Sequence, residues 1–163
     1  MSAKVLPGRN TAAIESGLVV FHIGLRINRF RALRSWVPAF RSMPKMLREL
    51  SEEKSRGLLG YQLLFAGPRD FYVTQYWADK ESLLAYAHQQ DAVHRPAWAA
   101  FNRRARDGKG NVGIWHETFI VSAGSYESVY VDMPEYGLGA ATGVVPVGRR
   151  GDTAAQRLKG AKD

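Results

Sequence analysis

The run Gly17 to Ile27, GLVVFHIGLRI, sets the first constraint on what this chain can become. Phe21, Ile23, Leu25 and Ile27 fall at every second position, and Val20, His22, Gly24 and Arg26 occupy the positions between them. Side chains alternate across a strand, so the first set shares one face and the second set the other. The first face belongs in a core. The second carries an imidazole, a gap left by glycine and a guanidinium, and looks into solvent or a cavity.

The segments that follow predict how that strand is covered. Asn28 to Arg34 is a basic connector, and Ser35 is a suitable N-cap for a helix running to about Glu53. Trp36, Phe40, Met43, Leu47 and Leu50 recur at steps of four and three, an amphipathic stripe that belongs to a core. Pro38 fits the first turn, whereas Pro44 removes a hydrogen bond and is expected to kink or split the helix. Leu58 to Ala66 and Phe71 to Trp77 read as strands joined by the turn Gly67-Pro68-Arg69-Asp70. Asp79 caps a helix to about Gln89, with Leu83, Leu84 and Ala87 on its buried side. A further segment after Asp91 places His94, Trp98 and Phe101 on one helical face. Gly113 to Val121 and Tyr126 to Met133 read as two strands flanking a Ser-Ala-Gly-Ser break.

This order is strand, helix, strand, strand, helix, strand, with an extra C-terminal strand. It predicts an α+β, ferredoxin-like βαββαβ antiparallel sheet with both helices on one face. The other face is bare, and two such sheets facing one another would bury it in a dimer and enclose a pocket. Residues 1–16 are expected to be a flexible arm, 17–134 the barrel domain, and 135–163, where apolar periodicity is lost, a flexible basic tail.

Composition narrows the chemistry. The chain has no cysteine, which removes disulfides, thiolate zinc sites and cysteine nucleophiles. No apolar run reaches the roughly 20 residues of a membrane span, and the first residues lack a secretory h-region. A cytoplasmic protein with no membrane partner is therefore expected. The formal charge of +8 is concentrated between Arg26 and Arg56, where nine Lys or Arg oppose three Glu, and in the tail. No aromatic residues interleave the tail's basic ones and no P-loop, zinc-finger or RRM spacing occurs, so nucleic acid is not the expected partner.

Four histidines are present, and no pair has HExxH spacing; no Gly-x-Ser-x-Gly occurs either. The candidate catalytic residues are His22, Arg26, His94 and His116. Each histidine is a possible general base, and Arg26 is placed to stabilise a substrate anion. Trp77, Trp98, Trp115, Glu117 and Tyr130 are expected to line the pocket. His116 and Glu117 point to opposite faces of their strand, so either Trp115 and Glu117 or His116 and Thr118 look inward; spacing leaves both open. His88 is expected at the surface.

Three motifs carry a family resemblance: FHIGLRINRFRALRSW, the segment HRPAWAAFNRRAR, and GIWHETFIVSAGSYESVYVDMP followed by YGLGAATG. Over about residues 17–143 the chain resembles the DUF4188 family, grouped with fumagillin-pathway monooxygenases among the antibiotic-biosynthesis-monooxygenase-like dimeric α+β barrels. The resemblance implies a homodimer with one pocket per subunit, acting in secondary metabolism on a hydrophobic small molecule. Related barrels include cofactor-free monooxygenases of aromatic polyketides and haem-binding enzymes. The leading reading is a monooxygenase-like oxidoreductase that requires no cofactor and no metal. Two alternatives stand beside it: a haem enzyme with His94 as axial ligand, and a non-catalytic small-molecule-binding protein.

Overall fold

A computed structural model of the protein describes residues 4–52, 56–88 and 110–158. A four-stranded antiparallel sheet is built from β2 (Leu18–Ile27), β3 (Leu58–Phe65), β4 (Asp70–Trp77) and β5 (Val112–Val121), in the order β3-β4-β2-β5. Helix α1 (Leu33–Glu52) connects β2 to β3, and α2 (Lys80–His88) follows β4. The first and third strands of the βαββαβ unit lie in the centre and its second and last at the edges, which is the ferredoxin-like arrangement the element order predicts.

The two faces of β2 separate as the alternation requires. On the helix side, Val19 and Trp77 pack with Leu83 and Tyr86 of α2, with Phe21 and Leu58 against them. A second cluster joins Leu25, Ile27 and Val112 to Trp36 of α1 and Phe71. Each such side chain, taken fully out of water, contributes about 1.5–3 kcal/mol. Trp77, expected in the pocket, is instead 0% exposed at the centre of the first cluster, where its indole N–H donates to Gln75 Oε1 at 3.0 Å. Asp79 caps α2 as expected, accepting the Ser82 N–H at 2.7 Å.

Helix α1 begins two residues before the expected cap and continues through both Pro38 and Pro44 without dividing. A proline removes one N–H donor and leaves the neighbouring bonds in place. Trp36 packs against the sheet before the two prolines, and Leu47 is buried beyond them.

The ends of the chain depart most from expectation. The predicted flexible arm contains β1 (Leu6–Ala12), which is the centre of a second antiparallel sheet. Its partners are β6 (Tyr130–Met133) and β7 (Val144–Pro146), so the strand near Met133 is real, shorter than expected, and not paired with β5. Tyr126 and Ser128 divert the chain. The Tyr126 hydroxyl donates to the carbonyls of Ile14 and Ser16, both at 2.9 Å, and Ser128 Oγ accepts the Ala12 N–H at 3.0 Å. The predicted flexible tail continues as α3 (Leu138–Thr142), β7, a 3-10 turn (Val147–Arg149) and α4 (Ala154–Arg157). Arg157, its side chain only 5% exposed, grips Glu127 with Nε at 3.1 Å and Nη2 at 3.0 Å.

Helix α3 lies on the side of the sheet away from α1 and α2. A Cβ built on Gly60 of β3 would meet Ala141 at 2.7 Å, so the absence of a side chain at Gly60 allows this contact. Gly60→Val is expected to push α3 from β3 at a loss of about 1–3 kcal/mol, the usual scale of overpacking. Gly113→Ala, where the nearest atom would be 3.8 Å away, serves as the tolerated control; urea midpoints check both.

Candidate functional site

The side of the sheet away from α1 and α2 carries the chemistry-bearing side chains. Register across three strand pairs sets Gln62, Thr74, His22 and Glu117 at one level and on one face. Directly opposite residues in antiparallel strands have Cβ atoms about 4.5–5.5 Å apart. The choice left open by spacing is thereby decided: Trp115 and Glu117 share the face of His22, while His116 and Thr118 lie on the helix side.

Aromatic rings frame the polar row. The His22 ring lies 5.6 Å from Phe119 and 6.2 Å from Tyr72, and Tyr72 lies 5.8 Å from Trp115. Gly24 explains how Trp115 fits. A Cβ there would fall 2.4 Å from the indole, so the ring lies across the backbone of β2 in space that any other residue would fill. His22 is half-buried and makes no hydrogen bond to another described residue. The Glu117 carboxylate stands at the same level.

Other expected members are placed elsewhere. Arg26 is at the end of the same face, where its Nη1 donates to both carboxylate oxygens of Asp70 at 2.8 and 2.6 Å. This pair engages Nη1 and leaves the Arg26 side chain 54% exposed. His116 is exposed on the helix side, 5.7 Å from Phe21. Tyr130 belongs to the second sheet, and its hydroxyl accepts the Gly139 N–H at 2.9 Å. His88 is exposed as expected, its Nδ1 2.7 Å from the Leu84 carbonyl oxygen. His94 and Trp98 lie outside the described residues. Among the described residues no group of three His, Asp or Glu side chains is arranged to hold a metal ion.

The sequence reading missed Tyr76, which closes one end of this face. Burial, and after it the neighbouring Tyr130 and Tyr136 hydroxyls, push its phenol above the ordinary value, partly offset by the Leu138 N–H that it accepts. Its presence on the His22 face was legible from the alternation of β4; the cap provided by α3 was not.

The fold is ferredoxin-like α+β, and its sheet presents one aromatic, partly polar face that carries the His22 imidazole. The profile of the Monooxygenase af470-like family matches residues 18–138, and the chain belongs to that family. Monooxygenase af470 of Aspergillus fumigatus is 31% identical over 171 aligned residues, covering 92% of this chain. This chain spans 59% of that relative's length. Among solved structures, an aldoxime dehydratase superposes with a TM-score of 0.62 at 16% identity, over 82% of this chain and 42% of that one. SnoaB, a cofactor-independent oxygenase from Streptomyces nogalater, aligns more loosely, with a TM-score of 0.42 at 11% identity over 65% of this chain and 94% of that one. The monooxygenase-like resemblance drawn from the motifs is in this coarser form established.

Two outcomes test the geometry. Gly24→Ala is expected to lift Trp115 off the sheet and change the near-ultraviolet circular dichroism. Tyr76 gives a pH dependence: its phenol is held above 10.0, so the unfolded chain loses this proton first as pH rises. The stability that it contributes is full below pH 10 and is lost as pH climbs through the raised value. Tyr76→Phe is expected to shallow that alkaline loss in urea midpoints measured against pH.

Proposed function

We propose that the chain is a monooxygenase-like oxidoreductase that oxidises a hydrophobic small-molecule metabolite held against the His22 face, without a cofactor or metal. The observation that carries this reading is His22 itself: an imidazole with no hydrogen-bond partner among the described residues, set between Phe119 and Tyr72 and level with Glu117. The rings offer stacking surface for an aromatic or polyene substrate. His22 takes the proton of a phenol or enol, and the electron-rich anion reacts with molecular oxygen. One oxygen atom replaces two hydrogens of a carbon as a carbonyl, and the other leaves as water carrying those two hydrogens. The substrate is thus its own reductant.

A second copy of the chain is the natural cover for this face. Trp115 is 37% and Phe119 47% exposed, and a pair of such faces buried together removes that apolar surface from water. The homodimer and its place in secondary metabolism belong to the same proposal. A second reading places the site on the helix side, supported by the exposed His116 beside Phe21. The haem reading rests on His94, which lies outside the described residues.

Oxygen consumption against phenolic and polyene metabolites, with products followed by mass spectrometry, separates these readings. His22→Ala is expected to lower kcat by roughly 10²–10⁴, the range for loss of a general base, with His116→Ala close to the parent. The reverse result moves the site to the helix side. Tight ligand binding with no product by either variant or parent leaves a binding protein, and a stoichiometric Soret band on hemin titration favours the haem enzyme. Phe119→Asp is expected to convert dimer to monomer in sedimentation velocity.

A further inference from the structure

From Ser16 to Arg48 the chain contains no Asp or Glu and seven Lys or Arg. The structure gathers much of this stretch at one end of the four-stranded sheet, in the connector after β2 and the first turns of α1, beside the β3–β4 turn. Arg29, Arg31, Arg34 and Arg41 are exposed there and have no carboxylate partner among the described residues.

Apolar side chains are set among these charges. Phe30 is 41% exposed, Leu33 56%, Phe40 39% and Phe65 62%. Contacts hold Phe30, Phe40 and Phe65 in place. The Arg69 guanidinium sits 4.4 Å over the Phe30 ring while donating to the Ile27 and Asn28 carbonyls at 3.1 and 2.9 Å. Trp36 Nε1 donates to the Phe30 carbonyl at 3.0 Å, and Phe71 makes edge contacts with both Phe40 at 5.1 Å and Phe65 at 5.4 Å.

Exposed guanidiniums alone would suit any polyanion. The interleaved Phe30 and Leu33 select among them, because a surface that offers phosphates above hydrocarbon satisfies both kinds of side chain at once. We propose that this end of the molecule docks on an anionic lipid bilayer, with Arg29, Arg31 and Arg34 among the headgroups and Phe30 and Leu33 below them. The chain lies on such a surface; no described helix is long and apolar enough to cross it. This revises the expectation of no membrane partner, which rested on the lack of a spanning run. It concerns residues away from His22 and stands or falls independently of the oxygenase reading.

Sedimentation of the full chain with phosphatidylcholine vesicles, with and without phosphatidylglycerol, tests it, circular dichroism confirming the fold of each variant. Binding is expected only with the anionic lipid and to weaken as salt rises. Each of Arg29→Ser, Arg31→Ser and Arg34→Ser is expected to weaken it about fivefold. Leu33→Ala is expected to weaken it by several-fold and Phe30→Ala by roughly tenfold. No sedimentation with anionic vesicles overturns the proposal. So does arginine-dependent binding that ignores Phe30→Ala and Leu33→Ala and is competed away by a single-stranded oligonucleotide, which would make the patch a polyanion site.

Discussion

The structure depends on β2 being paired on both sides. Because β4 and β5 each run antiparallel to it in unbroken register, the two-residue period of β2 is imposed on its neighbours. Val19, Leu25 and Ile27 therefore bring Trp77, Phe71 and Val112 into the same layer as the helices. By the same constraint His22 brings Thr74 and Glu117 to the opposite face. Core and candidate site are two sides of one alternation, and a slip of one residue would exchange them.

Around that sheet the chain adds a second, smaller one that uses residues from both ends. It is held largely by polar contacts: Tyr126 and Ser128 on β1, and Arg157 on Glu127. Thr11, Ala12 and Val147 supply a small buried centre. Its consequence for function is α3, which rests on Gly60 and accompanies Tyr76 at one edge of the His22 face. The face is thus bounded on the β3 side while Trp115 and Phe119 remain accessible on the β5 side.

The main sheet and its helices were legible because their signals are local. Alternation in β2 and β4, the stripe of α1 and the Asp79 cap all act within a few residues of sequence. The candidate site was legible in part: His22, Trp115 and Glu117 were named, but Trp77 was placed on the wrong side and the Asp70 partner of Arg26 was not foreseen. Trp77 shares its alternation with Val73, so the face was readable once β2 and β4 were set in register. Arg26 needed the opposing Asp70, a neighbour across strands 44 residues away.

What the sequence determined by itself is the elements of the main sheet and the helices α1 and α2, the two faces of β2 and the absence of thiol chemistry, since each follows from residue type and short-range period. Only the tertiary structure decided that both ends fold into a second sheet, that Glu117 rather than His116 joins His22, and that exposed arginines and aromatics meet at one end. Those outcomes rest on contacts between segments distant in sequence, such as Tyr126 with Ile14 and Gly60 with Ala141. Neither partner of such a pair carries a local signal of the other.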